Sequence, residues 1–220
     1  MAPLAVGVLA SGSGSNLQAL LDAAAAGRLA ARIAVVVVNV PGAKALDRAR
    51  AAGVPAVCVS HREYASREAF EAAVEEALRA HGVELVVLAG FMRLLSGAFV
   101  RRWWGKLVNV HPALLPSFPG THGARQALEA GVRITGCTVH LVDEGTDTGP
   151  VLAQAAVPVL PGDTEASLQA RIQVQEHRLL PWVVDLFARG RVRLEGRKVF
   201  LDGPPSPEPS SVLLSPEPPR

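Results

Sequence analysis

Short apolar runs and longer amphipathic segments alternate along the first half of the chain. The first run, residues 4–9, is followed by a glycine and serine loop and a helical pattern over 16–26. Continuous Val, Ile and Leu runs are typical of strands buried on both faces, and a period near 3.6 residues indicates a helix. Further strands are predicted over 33–38, 56–59 and 84–89, and further helices over 43–52 and 67–81. This order predicts an α/β fold, a Rossmann-like and mostly parallel sheet with helices on both faces.

The second half carries a different pattern. It predicts a short helix over 97–103, a strand over 107–111, a helix near 124–130 and strands over 134–142 and 151–157. Loop-forming residues 143–149 join the last two strands, so we expect an antiparallel C-terminal addition to the sheet. A long helix is predicted over 164–189, with Asp163 or Thr164 as its cap and a kink at Pro181.

The end of the chain differs in composition from the rest. Residues 202–220 hold seven of the 17 prolines in the 220-residue sequence. A proline-rich stretch with few large apolar side chains cannot build a packed core. We therefore predict one folded domain over 1–201 and a disordered tail over 202–220.

Composition narrows the class of protein. Hydrophobic residues make up 49% of the chain, which supplies a full core, and 22 basic against 20 acidic residues give a net charge of +2. The basic residues are scattered, so the pattern does not indicate a nucleic-acid surface. Neither a membrane-spanning apolar stretch nor a basic leader is present, so we expect a cytoplasmic protein with small-molecule partners.

Cysteine and histidine spacing does not indicate a metal site. Cys58 and Cys137 each lie in an apolar run, and we expect both to be buried, inert thiols. A zinc site built from His111, His122 and His140 would lack any familiar ligand spacing.

The glycine-rich loop over 11–15 is the first candidate for ligand binding, because a strand–turn–helix unit directs backbone N–H groups and a positive helix end to one point. Gly12 and Gly14 lack the third glycine of the dinucleotide fingerprint, and Asn39 stands where an acidic ribose ligand is expected. The loop adds hydroxyl and amide donors at Ser13, Ser15 and Asn16. It suits a single phosphate group, and the alternative is a tight turn that binds nothing.

Asn109 and His111 form the more specific candidate. Residues two apart in a strand point to the same side, and the carboxyl end of a strand is where open α/β sheets build their ligand crevices. An amide can donate to a developing oxyanion, which typically raises a rate about 10²–10³-fold. An imidazole can move a proton, which typically raises a rate about 10²–10⁴-fold. The alternative is that Asn109 and His111 are structural residues whose hydrogen bonds are made within the protein.

A carboxylate near His111 would orient the ring and stabilise its charged form. Asp143, Glu144 and Asp147 are candidates, and their spacing does not say which of them reaches the ring. His140, among apolar strand residues, is expected to be structural.

Ordered segments of the chain resemble a known family. They are Ser-Gly-Ser-Gly-Ser-Asn-Leu-Gln at 11–18, Leu-Ala-Gly-Phe-Met-Arg-Leu-Leu-Ser at 88–96, Asn-Val-His-Pro-Ala-Leu-Leu-Pro at 109–116, 136–142, Asp-Thr-Gly-Pro at 147–150 and Gln-Glu-His at 175–177. With them the chain resembles the phosphoribosylglycinamide (GAR) formyltransferase family from about residue 6 to 201. The resemblance implies a formyltransferase domain that moves a formyl group from 10-formyltetrahydrofolate to GAR in purine synthesis, without a metal.

The resemblance also implies roles for individual residues. The catalytic trio would be Asn109, His111 and Asp147, a choice among the loop acids made by analogy. The GAR site would comprise Gly14, Ser15, Asn16, Gln173, Val174, Gln175 and Glu176. The folate site would comprise Arg67, Met92, Arg93, Leu94, Leu95, Asn109, Asp143, Glu144, Gly145, Thr146 and Asp147. Within that loop Gly145, Thr146 and Thr148 depart from the family's usual residues.

Two alternative functions stay open at this point. A formyltetrahydrofolate hydrolase would share the fold and trio with water as acceptor, but it carries an N-terminal regulatory domain, whereas the first strand here begins at residue 4. A non-catalytic module would bind phosphate or folate without turnover. The sequence leaves the oligomeric state open, a homodimer included.

Overall fold

The computed structural model describes residues 2–202. The strands are β1 (Leu4–Ala10), β2 (Ala31–Val38), β3 (Ala56–Cys58), β4 (Leu85–Leu88), β5 (Leu107–His111), β6 (Ile134–Leu141), β7 (Val151–Pro158), β8 (Val192–Glu195) and β9 (Lys198–Leu201). The helices are α1 (Ser15–Ala25), α2 (Lys44–Ala51), α3 (Arg67–Ala80), α4 (Gly97–Arg102), α5 (Gly123–Glu129) and α6 (Glu165–Ala188).

A seven-stranded sheet in the order β3-β2-β1-β4-β5-β6-β7 forms the centre of the fold. The first five strands in that order are parallel, and β6 runs antiparallel to both of its neighbours. Both the Rossmann-like half and the antiparallel addition are thereby confirmed. The strand order reverses between β1 and β4, where Leu9 pairs with Leu88, and ligand crevices form at the carboxyl ends of strands at such a point.

The apolar runs form strands because helices cover both sheet faces. On one face Val6 and Val8 pack in a buried cluster with residues of α1, α2 and α6. On the other face Leu9 joins a cluster with Phe70 of α3 and Phe99 of α4. Burial of both faces explains the near-continuous hydrophobicity of β1, and it makes the sheet a rigid base for the loops at its carboxyl edge.

Helix caps agree with the sequence. Ser66 Oγ accepts a hydrogen bond from the Ala69 amide at 3.1 Å and begins α3. Thr164, rather than Asp163, caps α6: its Oγ1 accepts from the Ser167 amide at 3.2 Å, and Ser167 Oγ accepts from the Thr164 amide at 3.0 Å. Helix α6 is continuous through Pro181 over its 24 residues.

The C-terminal hairpin β8–β9 was missed by the sequence prediction, which left residues 190–201 unassigned. Its strands have only four residues each: β8 alternates apolar with charged positions, whereas β9 has one charged residue followed by three apolar ones, and both patterns are weak signals at that length. Val192 and Leu194 pack against the core on the side of α6. The Asp202 amide donates to the Arg191 carbonyl at 2.9 Å, and residues 203–220, which hold the rest of the predicted tail, lie outside the described residues.

The prediction of two buried thiols is half right. Cys137 is fully buried in β6, and burial raises its pKa to about 12. Cys58 is exposed, because β3 is a three-residue strand at the sheet edge and its last residue has no covering neighbour. Among residues 2–202 no helix is long and apolar enough to cross a membrane.

Candidate active site

The loop after β1 requires glycine at its turn into α1. Gly14 has φ 70°, a left-handed conformation, and a Cβ atom there would lie 2.9 Å from the Ala45 Cα atom. Ala45 in turn donates its amide to the Gly12 carbonyl oxygen at 3.2 Å. The loop is therefore packed tightly against the start of α2, with the N-terminus of α1 directed at the crevice.

Helix α6 meets this loop through two side-chain hydrogen bonds. Gln173 Nε2 donates to Ser15 Oγ at 2.8 Å, and Asn16 Nδ2 donates to Glu176 Oε2 at 2.9 Å. Glu176 is only 4% exposed, and burial raises the pKa of its carboxyl group. The Oδ1 atom of Asn16 is buried without a hydrogen-bond partner among the described residues. Buried polar atoms are ordinarily hydrogen-bonded, so this oxygen is an exception in the pairing of α1 with α6.

A cavity of about 290 Å³ opens between the loop and α6. It is lined by Ser11, Gly12, Ser13, Gly14, Ser15, Asn16, Ala89, Gly90, Met92, Val110, Pro112, Gln169, Gln173 and Glu176. Gln169 was not among the predicted site residues, although it lies one helical turn before Gln173. Two of the predicted GAR residues do not line the cavity: Val174 is 56% exposed, and Gln175 accepts a hydrogen bond from Arg178.

The carboxyl end of β5 brings Asn109 and His111 to the same edge of the sheet. His111 is 3% exposed, and its Nε2 atom donates to the Phe118 carbonyl oxygen at 2.8 Å. Val110 and Pro112, the neighbours of His111 in the chain, both line the cavity. The backbone on both sides of His111 therefore borders the cavity.

Asp147 is the loop acid that reaches His111. Its Oδ2 atom lies 3.4 Å from His111 Nδ1 and also accepts the Gly120 amide at 2.7 Å. Asp147 has φ 54°, an uncommon backbone for a residue with a side chain. With a carbonyl at Nε2 and a carboxylate at Nδ1, both ring nitrogens of His111 face acceptors.

The other two loop acids bind elsewhere. Asp143 Oδ1 accepts the Thr148 hydroxyl at 2.6 Å, and Glu144 Oε1 accepts Arg101 Nη1 of α4 at 2.8 Å. Of the three candidates that sequence spacing left open, only Asp147 lies next to the histidine.

His140 is buried and satisfied, as expected of a structural histidine, yet it lies inside the site. Its Nδ1 atom is 2.9 Å from the Leu141 carbonyl oxygen and its Nε2 atom is 3.1 Å from Asn109 Nδ2. Burial lowers the His140 pKa, which favours a neutral ring. Asn109 and His140 are paired across β5 and β6. Only that antiparallel register could have revealed their contact from the sequence.

Several of the residues predicted to bind folate are exposed, and we refer to this group as the rim. Met92 and Leu94 are 68% and 69% exposed, while Leu95 packs against the core on the α3 side. The Met92 amide donates to Ser11 Oγ at 2.8 Å, which joins this rim to the glycine loop. The remaining predicted rim residues Arg93, Gly145 and Thr146 are exposed. Arg67, also exposed, begins α3.

The rim combines two exposed apolar side chains, Met92 and Leu94, with two exposed arginines, Arg67 and Arg93. Within residues 2–202, no cluster of three or more His, Cys, Asp or Glu side chains is arranged to hold a metal ion.

Comparison with known proteins agrees with this geometry. The family model described as formyl transferase matches residues 4–184. The chain belongs to the formyl transferase family. The matched range contains the glycine loop, the Asn109–His111 strand, Asp147 and most of α6.

Similar proteins within the family carry related names. The chain is 50% identical over 206 residues to phosphoribosylglycinamide formyltransferase of Mycobacterium tuberculosis, covering 91% of this chain and 95% of that protein. It is 51% identical over 187 residues to the trifunctional purine biosynthetic protein adenosine-3 of Drosophila melanogaster, covering 84% of this chain and 14% of that longer protein. The crystal structure of glycinamide ribonucleotide transformylase 1 from Symbiobacterium toebii superposes with a TM-score of 0.89 at 51% identity, covering 90% of this chain and 94% of that chain.

Proposed function

We propose that the protein transfers the formyl group of 10-formyltetrahydrofolate to the amine of GAR, giving formyl-GAR and tetrahydrofolate in purine synthesis. The observation that carries the proposal is the contact of Asp147 with His111, beside a cavity built by the glycine loop and α6. Relatives that are similar over most of their length are named for this reaction. In this role the protein acts in the cytoplasm on two small-molecule substrates.

The cavity suits the GAR molecule by its chemistry. The N-terminus of α1 and the hydroxyl of Ser15 supply donors for a phosphate group. Asn16, Gln173 and Glu176 supply polar atoms for a ribose and an amine. We assign Gly14, Ser15 and Asn16 to the phosphate and the α6 residues to the ribose and glycinamide end.

The rim suits a folate-type formyl donor. Met92 and Leu94 offer apolar surface to a flat ring, and loop 143–149 brings Asp147 to His111. Arg67 and Arg93 are cations for the donor's carboxylates. A donor held there would present its formyl carbon between Asn109 and the cavity.

The reaction follows from these positions. The amine nitrogen of GAR attacks the formyl carbon and the carbonyl oxygen becomes an oxyanion, which the Asn109 amide and the His111 imidazolium stabilise. The bond between the formyl carbon and N10 of the folate then breaks, and the proton released by the amine moves to N10. Asp147 keeps His111 charged and oriented throughout. No step needs a metal.

The test is a turnover assay with the purified protein. It is mixed with 10-formyltetrahydrofolate, with and without GAR, while deformylated folate is followed by absorbance and formyl-GAR by mass. Turnover that requires GAR and yields formyl-GAR is the expected result. Equally fast deformylation without GAR would identify a hydrolase instead, and folate binding without turnover would identify a non-catalytic module.

A further inference from the structure

The C-terminal hairpin touches the loop that carries Asp147. Arg197, in the turn between β8 and β9, donates from Nη1 to Asp143 Oδ2 at 3.0 Å and from Nη2 to the Thr148 carbonyl oxygen. The residues matched by the family model end at 184, so this contact comes from outside the matched range. One guanidinium thus bonds to both ends of the loop over 143–149.

The loop closes on itself beneath this contact. Asp143 Oδ1 accepts the Thr148 hydroxyl at 2.6 Å and the Gly145 amide at 3.2 Å. A Cβ atom at Gly145 would meet the Thr148 side chain, so a larger residue there would displace the hydroxyl that Asp143 accepts. The internal hydrogen bonds of the loop and the arginine contact therefore share two residues, Asp143 and Thr148.

Asp147 lies inside this closed segment and depends on its shape. Its φ of 54° costs a non-glycine residue free energy, so the surrounding contacts must hold it. From this backbone its carboxylate reaches both His111 and the Gly120 amide. A looser loop would relax Asp147 and withdraw the carboxylate from the imidazole.

We propose that Arg197 is a positioning residue that clamps loop 143–149 and thereby orients Asp147 and the adjoining folate surface. The inference rests on the proposed function for its kinetic consequence. An exposed ion pair is weak by itself, and Arg197 is 65% exposed at its side chain. A planar fork on two acceptors of one loop adds geometric restraint, so the effect belongs to the loop's order rather than to global stability.

The test compares Arg197→Ala and Arg197→Lys with the matched control Lys198→Ala. Lys198 is exposed on the same hairpin and, within residues 2–202, forms no side-chain hydrogen bond or ion pair. In Arg197→Ala we expect KM for 10-formyltetrahydrofolate to rise roughly three- to tenfold, as for a lost charge-assisted hydrogen bond, and kcat to fall. KM for GAR should stay within about twofold of the wild-type value, because the contacts of α6 with the glycine loop are untouched. The lysine variant, which keeps the charge and reaches one acceptor, should recover part of the loss.

The outcomes separate this inference from the proposed function. Wild-type kinetics in Arg197→Ala would overturn the clamp, and so would equal rises in both KM values with a matching fall in unfolding temperature. If the wild-type protein forms no formyl-GAR, the proposed function fails, while amide hydrogen exchange still decides the clamp. Exchange at Gly145, Thr148 and Gly149 should be faster in Arg197→Ala than in Lys198→Ala, and equal rates would contradict the proposal.

Discussion

Asn109 and His140 face each other across β5 and β6, with the amide nitrogen of Asn109 3.1 Å from His140 Nε2. The Nδ1–H of His140 donates to the Leu141 carbonyl oxygen, which leaves Nε2 as an acceptor. Burial lowers the pKa of His140 and keeps the ring in that neutral form. Because Nε2 of His140 accepts, the Asn109 amide is oriented with its nitrogen towards the histidine. Within residues 2–202 the second N–H of that amide has no acceptor, so it can donate to an oxyanion.

The first prediction concerns this orientation. In His140→Ala, Asn109 loses its partner, and we expect kcat for formyl-GAR formation to fall about tenfold, the value of one hydrogen bond of roughly 1.4 kcal/mol. KM for GAR should change less than twofold. His81→Ala is the control, since His81 bonds to the Ala77 carbonyl at the end of α3, away from the crevice. An unchanged kcat in His140→Ala would show that the orientation of the Asn109 amide does not depend on His140.

The second prediction concerns the trio. We expect Asn109→Ala to lower kcat about 10²–10³-fold and His111→Ala about 10²–10⁴-fold, since each removes a group that acts on the transition state. Asp147→Asn keeps the shape but not the charge beside His111, so kcat should fall by at least about tenfold. Initial rates at saturating GAR and folate measure these changes. The surface variant Asp47→Asn is the control, and near-normal turnover in any of the three would refute that residue's role.

The third prediction uses two glycines of the same loop. Gly14→Ala should lower the free energy of unfolding by about 2 kcal/mol and raise KM for GAR, because of its positive φ and the approach of Ala45. Gly12→Ala is the matched variant, since a Cβ atom there has no other atom within 4 Å. Its free energy of unfolding should stay within about 0.5 kcal/mol of wild type by urea titration. Equal losses in both variants would contradict the tight packing of the turn.

The fourth prediction concerns the buried carboxyl of Glu176. Burial raises the pKa of this carboxyl group in the folded state. Its contribution to the stability of the fold therefore decreases as the pH rises from its pKa in the unfolded chain through its pKa in the folded protein. Glu176→Gln, whose amide oxygen can still accept from Asn16, removes that dependence. The difference in unfolding temperature, variant minus wild type, should become more positive between pH 4 and pH 8.

A control of opposite sign is available at Glu165. Hydrogen bonds from Arg125 and His122 lower the pKa of Glu165, so its charge stabilises the fold at neutral pH and the effect fades in acid. For Glu165→Gln the same difference should become more negative as pH rises. If both variants followed the same trend in thermal unfolding, the assignment of Glu176 as a buried group of raised pKa would be wrong.

Much of the fold could be predicted because its signals are local. Continuous apolar runs mark β1 and β2, Ser66 marks the start of α3, and the spacing of Asn109 and His111 places both at one strand end. The glycine and serine run predicts the turn between β1 and α1, which the structure forms with Gly14 in a left-handed conformation. In each case the residues that determine the structure are neighbours in the chain.

The remaining features depend on contacts between distant segments. The pairing of His140 with Asn109 needs the antiparallel register of β5 and β6, and the exposure of Cys58 needs the strand order that leaves β3 at an edge. The contact of Arg197 with Asp143 joins residues 54 positions apart. Periodicity and spacing carry no information on such pairs, and only the resemblance to a family singled out Asp147.

The two acceptors of His111 come from two different loops. Phe118 supplies the carbonyl at Nε2, Asp147 supplies the carboxylate at Nδ1, and the Gly120 amide ties one loop to the other. If the loop that contains Phe118 moved away, two hydrogen bonds would break. His111 Nε2 would lose the Phe118 carbonyl oxygen, and Asp147 Oδ2 would lose the Gly120 amide. The Phe118 and Asp147 loops therefore hold the imidazole together, and a change in either loop alters the partners of the same ring.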